Sequence, residues 1–91
     1  MSSEQRIVNF SGVVQGVGFR YTACREASRH DVTGYVRNLP DSSVECVVEG
    51  SPAEIDAFIA ELSQAMAYYI RKVTQQTAPA SGQFHTFGVE Y

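Results

Sequence analysis

One stretch of the sequence combines the residue types that bind an anion. It reads Gly12-Val13-Val14-Gln15-Gly16-Val17-Gly18-Phe19-Arg20, with an apolar run before it and a helical pattern after it. Glycines allow a loop whose successive N–H groups point into one concavity. The first turn of a helix adds free N–H groups and the positive end of its dipole. An arginine guanidinium can bind two oxygens of a phosphate at once, so we expect residues 14 to 20 to hold a phosphoryl group.

Hydrophobic spacing predicts the elements that must position this loop. Strands are predicted at Ile7–Val13, Thr33–Leu39, Val44–Glu49, Tyr68–Thr77 and Phe84–Tyr91, and helices at Tyr21–His30 and from Ser51 onward. The second helix has a capping box and a proline at its first position, and its core face is predicted as Ile55, Phe58, Ile59, Leu62 and Met66. The order β-α-β-β-α-β-β predicts an α+β fold, the ferredoxin-like split β-α-β sandwich. Two helices would cover one face of a four- to five-stranded, mainly antiparallel sheet.

This arrangement brings a second polar residue to the loop. A crossover joins the first two strands, so they run parallel and end at the same edge of the sheet. Asn38 ends the second strand and alternates with Val36, which places it on the face expected to carry the helices. We therefore expect Asn38 to meet the glycine loop and Arg20.

Composition limits the partners of the protein. The 91 residues carry a net charge of −3, with 44% hydrophobic and 19% charged residues, as in an ordinary globular domain. We expect a single domain over residues 1–91, and neither nucleic acid nor an anionic membrane as a partner, because both require a basic surface. Since no apolar run is long enough to span a membrane and the segment Met1–Arg6 is too short and polar for a signal peptide, we expect a cytoplasmic protein and, by default, a monomer.

Most known phosphate and metal machineries are missing from the sequence. There is no Gly-Lys-Ser/Thr loop, and the glycines do not fit the dinucleotide fingerprint. No cluster of carboxylates and histidines indicates a metal site, so we expect neither metal nor cofactor. His30 and His85 are expected at the surface, and Cys24 and Cys46 as free thiols in structural roles.

Several charged residues are expected to face solvent. Arg25, Glu26 and Arg29 lie off the narrow apolar stripe of the first helix. Glu45 and Glu49 point away from the apolar face of the third strand. None of them is assigned a chemical role.

The remaining groups favour one class of reaction. An arginine, backbone N–H groups and an asparagine amide can bind a phosphoryl group and position a water, but they supply neither a strong base nor a general acid. Such a site requires a leaving group that departs without being protonated. A carboxylate meets this requirement because the pKa of its acid is about 4. The predicted substrate is therefore an acyl phosphate.

The sequence also resembles the acylphosphatase family. The match comprises Gly12-x-Val14-Gln15-Gly16-Val17-Gly18-Phe19-Arg20, then Gly34-Tyr35-Val36-Arg37-Asn38, then Val44-Glu45 and Gly50. The resemblance implies a small free-standing enzyme that hydrolyses acyl phosphates to carboxylate and inorganic phosphate, without metal or phosphoenzyme. It implies that Arg20 and the loop of Gln15, Gly16, Val17, Gly18 and Phe19 bind the phosphate. It also implies that Asn38 orients the attacking water.

The sequence departs from the family pattern at three places. Val13 replaces a residue that is usually basic or polar. Ser42 stands where many members have glycine, so the hairpin is expected to use another turn or to carry strain. The segment 64–69 lacks the Gly-Pro pair of many bacterial members, which leaves the end of the second helix open.

Two other functions are compatible with a fold of this kind. RNA-recognition modules share this fold but carry stacking aromatics on the central strands and a basic surface, whereas Val44–Glu49 has no aromatic residue and two glutamates. The alternative kept open is a non-catalytic anion-binding or accessory acylphosphatase-like domain. Arg20 and Asn38 are both present, and we expect an active enzyme.

Overall fold

A computed structural model describes residues 3–91. Met1 and Ser2 belong to the segment Met1–Arg6, which is predicted to be too short and polar for a signal peptide, and they lie outside the described residues. The elements are β1 (Glu4–Gly12), α1 (Phe19–Ala27), β2 (Val32–Asn38), β3 (Val44–Gly50), α2 (Pro52–Ala65), β4 (Ile70–Pro79) and β5 (Phe87–Val89). The predicted order and the α+β fold class are confirmed.

The sheet has five strands in the order β4-β1-β3-β2-β5. Both β1 and β2 pair antiparallel with the central β3, so they run parallel to each other, and β5 pairs parallel with β2. In the two registers Phe10 and Asn38 both lie opposite Val44. The ends of β1 and β2 therefore meet at one edge, as predicted. We call it the cradle end and the other the far end.

The helix α2 begins and ends where local signals and tertiary packing place it. The Ser51 hydroxyl accepts from the Glu54 N–H at 3.3 Å, and Pro52 occupies the first turn. After Ala65 the N–H groups of Tyr69 and Ile70 donate to the Met66 carbonyl, which turns the chain without a Gly-Pro pair. All five predicted core residues of α2 are buried against the sheet.

The helix α1 differs from its prediction in both bounds and in its buried face. It ends at Ala27, three residues before the predicted His30. It begins at Phe19 instead of Tyr21, because Gly18 adopts a left-handed conformation (φ +79°) and starts the helix directly after the loop. Glu26, expected in solvent, is buried between the guanidinium groups of Arg25 and Arg29 at 3.8 and 3.6 Å. The physical reason is that α1 packs against α2 as well as the sheet, so its buried face is wider than the stripe of small residues.

A register shift in β4 changes the predicted alternation. Ser11 pairs with Lys72 and Gly12 with Ile70, so Arg71 is an extra residue in the ladder. Such a bulge reverses the alternation on one side of it. Ile70 therefore packs against the core together with Val73, although plain alternation would separate them. The final strand is also shorter than the predicted Phe84–Tyr91.

Two residues expected at the surface are largely buried. The side chain of His30 is only 11% exposed; it packs edge-on against Phe58 and lies beside Glu54 and Glu61 of α2. Glu49 is 5% exposed, because Ser81 and Gly82 in the connection between β4 and β5 donate hydrogen bonds to its carboxylate. His85, by contrast, is exposed as expected.

Candidate functional site

A cavity of about 390 Å³ opens at the cradle end of the sheet. Its lining residues are Val14, Gly16, Gly18, Phe19, Arg20, Tyr21, Cys24, Asn38, Val89 and Tyr91. Arg20 and Asn38 thus lie on the wall of one cavity, together with three other residues of the predicted loop. Gln15 and Val17 belong to the loop but do not line the cavity; Val17 packs against the core instead.

The loop owes its shape to glycine backbone geometry. Gly16 and Gly18 have φ of +78° and +79°, a region that side chains rarely adopt. A Cβ at either position would meet no atom within 4 Å, so conformation, not crowding, requires glycine there. In residues 3–91 the N–H groups of loop residues 15–18 donate to no backbone acceptor, and α1 begins without a side-chain cap. The loop therefore keeps N–H groups without backbone acceptors next to the positive end of a helix.

The side chain of Gln15 joins the loop to the hairpin after Asn38. Its Nε2 donates to the Leu39 and Ser43 carbonyls at 2.8 and 2.9 Å. The predicted phosphate-binding residue thus turns its amide away from the cavity, while its backbone remains in the loop. No sequence pattern indicated this contact, since the acceptors are backbone groups on a distant segment.

The hairpin itself is fixed by side-chain hydrogen bonds. Asp41 accepts from the N–H and hydroxyl of Ser43 at 2.9 and 2.5 Å, which lowers the pKa of Asp41. The Ser43 hydroxyl in turn accepts from Asn9 of β1 at 2.9 Å. Ser42 has φ +77° and is the one non-glycine residue in the left-handed region within residues 3–91. The predicted strain in this turn is therefore present.

The two arginines near Asn38 have different environments. Arg37 lies on the opposite face, where its Nε donates to Glu45 at 2.8 Å, and this hydrogen bond raises the pKa of Arg37. Within residues 3–91, Arg20 makes no ion pair with a carboxylate. Its guanidinium lies 5.3 Å from the ring centroid of Tyr91. The Arg20 charge is therefore available to an anion in the cavity.

The remaining wall of the cavity is apolar. Phe19 is buried against Phe10, with ring centroids 4.9 Å apart, and it also lines the cavity. Tyr21 lines the cavity and is 70% exposed. Val89 and Tyr91 come from β5 and its end; sequence reasoning missed them because the β2–β5 pairing is not local.

Both cysteines are free thiols, as expected. Cys24 is half-buried at the cavity wall and Cys46 is fully buried in the core; burial raises the pKa of each thiol. Among residues 3–91, no group of three or more histidine, cysteine, aspartate or glutamate side chains could hold a metal ion. No helix in this part of the chain is long and apolar enough to cross a membrane.

Comparisons with known proteins agree on one family. The family model described as Acylphosphatase matches residues 6–89. An acylphosphatase of Paenarthrobacter aurescens is 42% identical over 80 residues, which cover 87% of this chain and 85% of that protein. The crystal structure of an acylphosphatase from Bacillus subtilis superimposes with a TM-score of 0.89 at 27% identity, covering 97% and 99% of the two chains.

The same fold also occurs inside a much larger protein. HypF from T. kodakarensis matches with a TM-score of 0.83 and 33% identity, covering 97% of this chain but only 12% of HypF. The family model and the relatives of similar length together decide the assignment. With its glycine loop, Arg20 and Asn38 on one cavity, this chain belongs to the acylphosphatase family.

Proposed function

We propose that the protein hydrolyses acyl phosphates to a carboxylate and inorganic phosphate at the cradle-end cavity. The observation that carries this proposal is that Arg20, Asn38 and the loop residues Gly16, Gly18 and Phe19 border the same cavity. The N–H groups of loop residues 15–18 donate to no backbone acceptor within residues 3–91. Family membership supports the reaction class, and the geometry supports the roles of individual residues.

The loop and Arg20 bind the phosphoryl group in this proposal. The N–H groups of residues 15–20 bind its oxygens, and the guanidinium adds a positive charge that no carboxylate neutralises within residues 3–91. Preorganised donors of this kind stabilise negative charge as it redistributes in the transition state. They supply the charge that a metal ion would otherwise supply, which is the reason we propose a metal-independent reaction with no cofactor.

Asn38 orients the attacking water. The side-chain oxygen of Asn38 can accept a hydrogen bond from the water. A lone pair of the water oxygen then points at phosphorus, on the side opposite the leaving oxygen. The P–O bond to the acyl group breaks as the new P–O bond forms, and the carboxylate leaves without a proton because its conjugate acid has a pKa of about 4. Water supplies the oxygen and the protons of the phosphate product.

The oligomeric state, the location and the partner of the enzyme can also be proposed. We propose a single-domain, cytoplasmic monomer whose partner is a small acyl phosphate and not a nucleic acid. The acidic composition supports this, since a net charge of −3 does not favour binding to a polyanion. Light scattering of the purified protein, with and without RNA, tests the monomer and the absence of nucleic-acid binding.

The test is hydrolysis of benzoyl phosphate in the presence of a chelator, followed by its ultraviolet absorbance. Wild type is compared with Arg20→Ala, Asn38→Ala and the control Arg37→Ala, whose arginine lies on the other face. We expect turnover by wild type and Arg37→Ala. Arg20→Ala should weaken competition by inorganic phosphate, and Asn38→Ala should lower kcat. Absence of turnover by folded wild type would disprove the proposal.

A second candidate is a non-catalytic anion-binding or accessory domain. The likeness to HypF favours it, because the matching part is a small fraction of that protein. This candidate predicts that inorganic phosphate binds in calorimetry while benzoyl phosphate is not hydrolysed. Turnover that is lost in Asn38→Ala would exclude it.

A further inference from the structure

Glu49 is a buried carboxylate that the proposed reaction does not use. It lies at the far end of β3, on the face opposite Val48 and the helices, and is 5% exposed. One carboxylate oxygen accepts from Gln5 Nε2 at 2.6 Å and from the N–H and hydroxyl of Ser81 at 2.8 and 2.7 Å. The other accepts from the Gly82 N–H at 3.0 Å. Three of the four donors therefore belong to one short segment, 81–82.

That segment is part of the connection between the two edge strands of the sheet. β4 and β5 are separated by β1, β3 and β2, so four spacings of about 4.8 Å place them about 19 Å apart. The eight Cα–Cα steps from Pro79 to Phe87 reach at most about 27 Å. We call residues 80–86 the strap. It crosses the helix-free face with little slack, and Glu49 on the central strand binds its second and third residues, Ser81 and Gly82.

The strap leads directly to one wall of the cradle-end cavity. At its last residue, the Thr86 carbonyl accepts from the Gly34 N–H at 3.0 Å, and beyond β5 the Glu90 N–H donates to the Val36 carbonyl at 2.9 Å. β5 has only three residues; its last residue, Val89, and Tyr91, two positions beyond it, line the cavity. Because three residues are at the short limit for a strand, the position of β5 depends on the segments that hold its two ends. Glu49 thus holds the strap, which leads into β5 and so to Val89 and Tyr91 at the cavity wall.

We propose that Glu49 is a positioning residue that, through the strap and β5, holds Val89 and Tyr91 as the wall contacting the acyl part of the substrate. The inference rests on the proposed function. The phosphate is assigned to the loop and Arg20, so the acyl group must extend toward the rest of the lining. That side is apolar and aromatic: Val89, Tyr21 and Tyr91 line it, and the two tyrosines are 70% and 98% exposed to solvent, so neither is covered by other residues of the described chain. The wall therefore favours an aromatic or apolar acyl group over a small one.

The test uses two unreactive probes. Acetonylphosphonate and phenacylphosphonate carry a CH₂ group in place of the bridging oxygen of acetyl phosphate and benzoyl phosphate. Calorimetric titration gives the ratio of their affinities for wild type, Glu49→Ala and Ser81→Ala. We expect wild type to prefer phenacylphosphonate by about three- to tenfold, the range of one aromatic contact. In Glu49→Ala the preference should be lost while acetonylphosphonate binds as before, and Ser81→Ala should lie between the two.

The matched control is Glu45→Ala. Glu45 lies on the same strand and face and is hydrogen-bonded to Arg37 and Tyr35, not to the strap, so its variant should keep the wild-type ratio. Equal ratios in wild type, Glu49→Ala and Ser81→Ala, no preference in wild type, or an equal loss for both probes would each overturn the inference. If Glu49→Ala does not fold, Ser81→Ala decides. A wild type that shows the expected ratios but does not hydrolyse benzoyl phosphate would disprove the proposed function only.

Discussion

The two ends of the sheet differ in whether their key polar groups have hydrogen-bonding or charged partners within the protein. At the cradle end, loop N–H groups have no backbone acceptor and Arg20 has no carboxylate partner within residues 3–91. At the far end, Glu49 is buried and accepts four hydrogen bonds. Polar groups that are satisfied internally stabilise a fold, whereas unsatisfied ones retain their binding capacity for a ligand. The cradle end is therefore arranged for binding and the far end for holding the chain together.

The largest effect is expected from the arginine at the cradle end. Arg20→Ala should lower kcat/KM for benzoyl phosphate by about 10³-fold, or roughly 4 kcal/mol, because it removes a charged donor from the phosphoryl group. The free energy of unfolding in urea should stay near that of wild type, since Arg20 makes no ion pair in the described chain. A large loss of stability in this variant would break the distinction between the two ends.

The far end should give the opposite result. Glu49→Ala should lower the free energy of unfolding by about 2 kcal/mol, because its donors lose a charged acceptor. Hydrolysis of acetyl phosphate by the folded variant should remain close to wild type. Urea unfolding and initial rates on the same samples provide both values, and Glu45→Ala is the control for removal of a carboxylate from β3.

The far end should also lose stability in acid. Burial opposes ionisation of Glu49, but its hydrogen bonds from Ser81, Gln5 and Gly82 outweigh this effect and lower its pKa. A lowered pKa means that the unfolded chain binds the proton more readily, so the stabilisation is present above about pH 4.3 and is lost as the pH falls through the lower, folded value. The stability difference between wild type and Glu49→Gln should shrink over that window. A difference independent of pH in urea unfolding would contradict this.

A smaller effect is expected where the loop joins the hairpin. Gln15→Ala removes two hydrogen bonds to Leu39 and Ser43, but each carbonyl keeps a backbone donor. We expect a loss of about 1 kcal/mol in stability and a lower kcat, because the hairpin next to Asn38 becomes less constrained. Gln64→Ala on the exposed side of α2 is the control and should change neither quantity.

The smallest effect concerns the strained turn. Ser42 adopts φ +77°, so Ser42→Gly should raise the free energy of unfolding by about 0.5–1 kcal/mol. Ser42→Ala retains a Cβ and should show no such gain. Equal stability of the two variants in urea would mean that the turn carries no relievable strain.

Local signals predicted the parts of the molecule that local chemistry determines. The capping box and helical spacing of α2, the glycines of the loop and the order of elements were read correctly. The crossover rule also placed the ends of β1 and β2 at one edge, although the roles of Arg20 and Asn38 stay predictions. These features depend on neighbouring residues or on a general rule of chain topology.

The features that were missed depend on contacts between distant segments. Glu49 and His30 looked exposed because their partners, the strap and α2, are remote in the sequence. Val89 and Tyr91 could not be assigned to the cavity without the parallel pairing of β5 with β2. In β4, one extra residue reversed the alternation at Ile70, which no hydrophobic pattern indicates.

The short strand β5 has a consequence for solubility. The edge at β4 is protected by a bulge and by exposed polar side chains such as Arg71, Lys72 and Gln75, features that discourage pairing with another chain. β2 has its buried Val32 and Val36 along the other edge, where β5 and its flanking residues Thr86 and Glu90 occupy the hydrogen-bonding groups of β2. If β5 detached, this apolar strand would become an open edge able to add a strand from a neighbouring molecule. The pairing of the three-residue strand β5 with β2 therefore protects this edge of the sheet against edge-to-edge aggregation.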